Sequence, residues 1–143
     1  MSQRLSTHDL STAVRIAVAR LSRRLRAEKA DHELSDTQTS VLAFTVREGP
    51  GTIGQLSEHE RVTPPSMNRT VNHLEDAGYV RRTPDAEDGR KVVVVATESG
   101  RELIAETRRR RDAWLNKRLR TLTPEQRSTL AEAATILREL ADS

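Results

Sequence analysis

The sequence contains no cysteine, which removes disulfide frameworks, thiolate zinc sites and thiol redox chemistry together. A reducing, cytoplasmic setting is expected. Aromatic side chains are almost missing, with one Trp, one Tyr and one Phe, so there is little large apolar surface to bury. No stretch approaches the roughly 18 uninterrupted apolar residues of a membrane span, and no membrane partner is expected. Arg15 and Arg20 interrupt any secretory apolar core near the start, and the apolar face there lacks an aromatic anchor for a lipid surface. The 143 residues match one domain, or one domain with a helical extension, at about 100 to 200 residues per domain.

What is present is aliphatic and charged. Leu (15), Val (11), Ile (4) and Phe (1) total 31 of 143 residues, close to the roughly 20% below which chains tend to stay disordered. The chain should fold around a thin core, and surface-to-volume scaling makes a small core marginal. Part of the core is therefore expected to be shared with a second copy. The net charge of +3 is unevenly spread: residues 1–30 hold seven Lys or Arg against two acids, and residues 101–120 hold eight against three. The middle is net acidic, so the average charge supports a polyanionic partner only through attraction and does not locate a site.

Leu10, Val14, Ala17, Val18, Leu21 and Leu25 recur at steps of three and four, the period of one helix face, which predicts a first helix over about 7–30. Ser35 and Gln38 have capping-box spacing before an apolar run that Gly49-Pro50-Gly51 breaks. Thr52 and Gln55 repeat that spacing and open a short helix. Thr63 as cap, Pro64 in the first turn and Gly78 at the stop define a helix over 64–77. Tyr79–Thr83 and Lys91–Ala96 are β-rich runs separated by a stretch with Asp88-Gly89, which predicts a hairpin. Thr97 caps a long basic helix, and Thr123 with Gln126 caps a last one striped by Leu130, Ala133, Leu137 and Leu140.

This order predicts a mainly α fold with a small β-hairpin wing: a winged helix-turn-helix over 34–97, flanked by dimerisation helices over 1–33 and 98–143. The hairpin is expected to close onto the middle helices through Val80, Val92 and Val94. The stripes of the first, fifth and sixth helices are left without a partner, which predicts a two-fold homodimer.

On a wheel of residues 64–77, Met67, Val71 and Leu74 share one sector. Opposite lie Pro65, Arg69, Asn72 and Asp76, flanked by Ser66, Asn68 and His73. Arg suits guanine O6 and N7, Asn suits adenine N6 and N7, and a major groove admits one helix. The helix N-terminus with the hydroxyls of Thr63 and Ser66 can face phosphate. The plain alternative is a solvated polar face. At the wing tip, Asp85, Glu87 and Asp88 stand beside Arg90 and Lys91. A DNA-facing wing requires Asp88 tied to a guanidinium with Arg90 extended toward a narrow minor groove; an ordinary exposed hairpin with cancelling charges is the alternative.

Other motifs lead away from chemistry. Gly49 to Gly54 fits G-x-G-x-x-G, but the preceding run opens with a helix cap and no parallel sheet follows. The four His are scattered, with only His59 beside acids. Arg108 to Arg111 spread around one helix, so three can be solvated while the fourth lies near the apolar seam. Trp114 reads as core. No nucleophile has a matching base, so no enzyme and no cofactor is expected.

Leu34-Ser35, Gln38, Val41-Leu42, Leu56-Ser57, Val62-Thr63, Ser66-Met67, Arg69, Leu74, Gly78, Arg82, Asp88-Gly89-Arg90 and Thr97-Glu98-Ser99-Gly100 together resemble the MarR (multiple antibiotic resistance regulator) family over about residues 34–104. The resemblance implies a homodimeric bacterial regulator; the chain is read as a repressor of transcription bound to double-stranded DNA, and two recognition helices entering successive major grooves predict a pseudo-palindromic operator. It implies recognition-helix contacts at Ser66, Asn68, Arg69 and Asn72 and a wing in which Asp88 orients Arg90. It also implies a small effector, often aromatic, bound between the dimerisation helices and the winged lobe; no pocket motif is matched. Gly89 stands where the family often has Arg and Ala96 where it usually has Leu, and the absence of cysteine excludes the peroxide sensing of some members. The expected DNA-facing set is thus Thr63, Pro65, Ser66, Asn68, Arg69, Asn72, His73, Asp88, Arg90 and Lys91. The rival reading is a winged-helix protein-interaction module without DNA function.

Overall fold

The computed structural model describes residues 4–143. Six helices and one hairpin follow in the order α1 (Thr7–Arg26), α2 (Asp36–Glu48), α3 (Ile53–Glu60), α4 (Pro64–Asp76), β1 (Val80–Pro84), β2 (Val92–Ala96), α5 (Glu98–Leu119) and α6 (Pro124–Ala141). The helix starts follow from side chains that accept orphan N–H groups. Ser35, Thr52 and Thr123 form full capping boxes with Gln38, Gln55 and Gln126. Thr63 accepts from the Ser66 N–H at 3.3 Å. The stop of α4 is a Schellman turn: Gly78 sits at φ 82°, its N–H reaches the Glu75 carbonyl, and the Tyr79 N–H reaches that of Leu74.

The core lies where α2, α3 and α4 meet the hairpin. Val41, Leu42, Leu56, Met67, Val71, Leu74, Val94 and Ile104 form one buried cluster. The strands pair antiparallel, with Val80 opposite Ala96 and Pro84 opposite Val92. Val80 and Val94 are buried as expected, whereas Val92 is 53% exposed. Val92 shares the inward face with Val94 by the two-residue period of a strand, but it lies one step further out, beyond the reach of the helices. A third segment joins the sheet, since Gly51 exchanges hydrogen bonds with Val94 at 3.2 and 2.7 Å.

Helix α1 ends at Arg26, short of the predicted residue 30. The chain after it is taken up by longer-range bonds. The Ala30 N–H donates to Thr107 Oγ1 on α5, the Lys29 ammonium donates to the Leu34 carbonyl, and the Tyr79 hydroxyl donates to Asp31 Oδ2 at 2.7 Å. This last bond holds the Asp31 carboxyl below its usual range and, with some burial, raises the Tyr79 phenol to about 12. Neither α1 nor α6 contains a buried residue. Leu10, Val18, Leu21, Leu130, Ile136, Leu137 and Leu140 lie open on these two helices.

The step from wing to α5 is built around Thr97 and Gly100. The Thr97 hydroxyl donates to the Gly78 carbonyl at 2.6 Å and accepts from the Gly100 N–H at 3.1 Å. A Cβ at Gly100 would collide with the Tyr79 carbonyl oxygen and come within 3.0 Å of Leu42 Cδ1. Backbone cannot yield as a flexible side chain can, so Gly100→Ala is expected to destabilise the fold by about 2 kcal/mol or more, read as a lowered urea midpoint. The single tyrosine gives a second check. Its raised phenol pKa means that the Tyr79–Asp31 bond contributes its full stability between the ordinary carboxylate range and about 10, the unfolded phenol value, and loses it as pH rises through about 12. Tyrosinate absorbance should titrate near that upper value in the folded chain and near the lower one in urea.

Candidate nucleic-acid interface

Helix α4 turns its Met67, Val71 and Leu74 seam fully inward, each with no exposed surface. An α-helix whose apolar residues occupy one sector must present the rest. Thr63, Pro65, Asn68, Arg69, Asn72 and His73 are exposed and Ser66 is half-buried. The side chains of Arg69, Asn72 and His73 have no hydrogen-bond partner among the described residues, so their donors and acceptors are free for a ligand. Helix α3 precedes α4 through a tight turn in which Arg61 adopts φ 55° and ψ 45° and closes α3. This is the only non-glycine residue among those described with positive φ.

Asn68 is engaged differently. Its amide donates to the Pro64 carbonyl at 3.1 Å and its Oδ1 accepts from Arg82 Nη2 at 3.3 Å. Arg82 is in turn held by Glu75, whose Oε1 accepts from Nη1 and whose Oε2 accepts from the Arg82 backbone N–H, both at 2.9 Å. Arg82 and Glu75 were not among the residues singled out for DNA contact. Their signal was the spacing of Asn68 and Glu75, seven residues apart and therefore on one flank of α4.

In the wing, Asp88 Oδ1 accepts from both the backbone N–H of Arg90 at 3.1 Å and its Nε at 3.2 Å. The Arg90 side chain is still 93% exposed, so the carboxylate aims the guanidinium without covering it. Lys91 is exposed and makes no ion pair among the described residues, while its backbone closes the turn through Asp88 and Asp85. The wing tip thus extends two cations, Arg90 and Lys91, with Asp88 as the support of Arg90, beside the half-buried Asp85 and the exposed Glu87.

The other motifs resolve as structure. Gly49 is the end of α2 at φ 84° and Gly51 is the bridge to Val94, so the glycine-rich stretch has no phosphate-cradling geometry. His59 stacks on Phe44 with ring centroids 3.9 Å apart. No cluster of metal-ligating side chains is found among the described residues. In the arginine run, Arg109 and Arg110 pair with Glu106, holding its carboxyl below the usual range. Arg111 is the one turned inward, donating from Nε to the Leu25 carbonyl at 3.1 Å. Trp114 lies half-buried with Arg118 and Arg24 guanidinium carbons 3.8 and 4.9 Å from its ring. No described helix is long and apolar enough to cross a membrane.

An exposed Arg–Asn helix face, a preceding short helix and a hairpin that extends an aimed arginine define a winged helix-turn-helix protein of the DNA-binding class. The MarR family pattern matches residues 32–91. An uncharacterized HTH-type transcriptional regulator of Mycobacterium leprae is 42% identical over 133 residues, covering 93% of each chain. An HTH-type transcriptional repressor of Mycobacterium tuberculosis is 41% identical over 49 residues, 34% of this chain and 35% of its own. The crystal structure of RV1404 from Mycobacterium tuberculosis shares the fold with a TM-score of 0.86 at 21% identity, covering 98% of this chain and 97% of that one. The chain belongs to the MarR family of winged helix-turn-helix transcriptional regulators, and it is not an enzyme.

Proposed function

We propose that this regulator is a repressor that binds a pseudo-palindromic operator as a homodimer. The observation that carries this reading is the α4 face, where Arg69, Asn72 and His73 stand exposed and unengaged opposite a fully buried seam. Thr63, Pro65, Ser66 and Asn68 complete the helix contact, and Arg90 and Lys91, with Asp88 behind Arg90, supply the wing. Two recognition helices would enter successive major grooves about 34 to 36 Å apart. The wing guanidinium would lie in a flanking minor groove, where narrowness strengthens the negative potential. The repressor named among the relatives supports the sign of regulation. Relief by a small, aromatic effector and a cytoplasmic site of action belong to the same proposal and rest on the family.

Pairing of two copies is supported by the uncovered aliphatic residues of α1 and α6. Between α1, α5 and α6 runs an apolar cavity of about 430 Å³ lined by Leu21, Leu115, Leu119, Leu130 and Leu137. The segments 1–33 and 98–143 would then hold the dimer, and 34–97 would read DNA. Covering one Leu is worth about 2 kcal/mol. Leu137→Asp should therefore weaken the dimer by roughly 30-fold or more, seen in sedimentation equilibrium against a protomer of 16.1 kDa. A wild-type chain that stays monomeric at micromolar concentration would refute the pairing.

Selection from random-sequence DNA is the primary test, with an enriched inverted repeat expected; a protein-interaction module would enrich nothing. On the selected operator, Arg69→Ala should weaken binding by about 1–3 kcal/mol and relax one base position. Arg90→Ala should lower affinity evenly across sequences and reduce the salt slope by about 1. Wild-type binding by both variants in a salt-titrated anisotropy assay would remove these residues from the interface.

A further inference from the structure

The Glu75–Arg82–Asn68 chain lies at the junction of recognition helix and wing, and none of the contacts proposed above uses Glu75 or Arg82. Glu75 binds Arg82 twice, through the guanidinium and through the strand N–H, both at 2.9 Å. Arg82 then reaches Asn68, seven residues before Glu75 on α4. The Arg82 side chain is only 25% exposed, so it lies along the helix flank. A planar fork can hold a carboxylate and an amide oxygen together, which an ammonium on a flexible stem cannot do in fixed geometry.

We infer that Glu75 and Arg82 are positioning residues that lock the wing to the recognition helix, so that Arg90 and the Arg69–Asn72 face meet the duplex as one body. The backbone bond matters most. Arg82 pairs with Val94 in the sheet, so anchoring its N–H and side chain to α4 fixes the base of the hairpin, not merely a surface arginine. Asn68 acts as the far stop of the same lock, with its orientation set by Pro64 on one side and Arg82 on the other. Without the lock, part of the wing's contribution is lost to the ordering it must undergo on binding.

The inference rests on the DNA-binding reading, and the sign of one substitution separates it from plain electrostatics. Glu75→Gln removes a negative charge next to the DNA-facing surface. By charge alone it should tighten binding to a polyanion. The lock requires the opposite: weaker binding to the selected operator by about threefold or more. Arg90→Ala, costing about fivefold in the wild-type background, should cost less than about twofold in Glu75→Gln, because coupled residues do not add. Arg82→Lys keeps the charge and loses the fork, and it should show the same loss of coupling. Circular dichroism and hydrogen exchange at core amides serve as fold controls, and faster exchange at the Arg82 amide in Glu75→Gln reports the broken bond directly. Tighter or unchanged binding by Glu75→Gln, or an Arg90→Ala effect of equal size in both backgrounds, overturns the lock while leaving the DNA reading intact. Failure of the wild type to enrich any sequence removes the DNA reading, and the lock falls with it.

Discussion

The burial of Met67, Val71 and Leu74 is the constraint on which everything else depends. Each of these side chains is worth about 1.5–3 kcal/mol when taken out of water. Turning α4 by one residue would replace them with Asn68, Asn72 and Glu75, polar groups that would enter the core without partners. The helix therefore has one seat, and its opposite face is committed to solvent before any ligand is considered. The seat is made by Leu42 and Leu56 from the two preceding helices and Val94 from the hairpin. The same few aliphatic side chains thus fix both α4 and the wing that flanks it.

A core this small leaves the rest of the chain to be organised by other means. Hydrogen bonds spanning long stretches of sequence, Ala30 to Thr107, Arg111 to Leu25 and Tyr79 to Asp31, tie the end of α1 and the segment after it to α5 and to the winged lobe. They set direction but bury little. The aliphatic stripes of α1 and α6 remain open, and these are the surfaces that a second copy would close. Between the two halves, Gly100 lets α5 start directly against the Tyr79 carbonyl, so the end of α4, the first wing strand and the first turn of α5 meet at one point.

Local chemistry was the legible part of the sequence. The capping boxes at Ser35, Thr52 and Thr123, the glycines at 49 and 78 and the proline at 64 each act within three or four residues, so spacing alone reveals them. The arginine run was legible as well, because a helix can solvate only part of its circumference, and Arg111 is the member turned to the seam. Reach was not legible. The period of β2 puts Val92 on the correct face but says nothing about how far the helices extend beneath it. Nor could spacing show that residues 27–30 leave the helix for Thr107, or that Gly51 joins the sheet, because these partners lie tens of residues away. In the candidate interface the exposed face of α4 was readable from its wheel. The role of Arg82 was not, since its partners become neighbours only once the hairpin folds back on the helix.

The hairpin can finally be viewed as a cantilever. Its root is clamped on two sides, by the paired bonds between Gly51 and Val94 and by Glu75 on Arg82, while beyond Val92 nothing of the helical body supports it. A small tilt at the root of such a beam would be multiplied along the unsupported span, at whose end Asp88 and Arg90 would move together because one carboxylate holds both the backbone and the side chain of the arginine. Fastening the root to the helix is therefore what keeps the tip in a fixed relation to it.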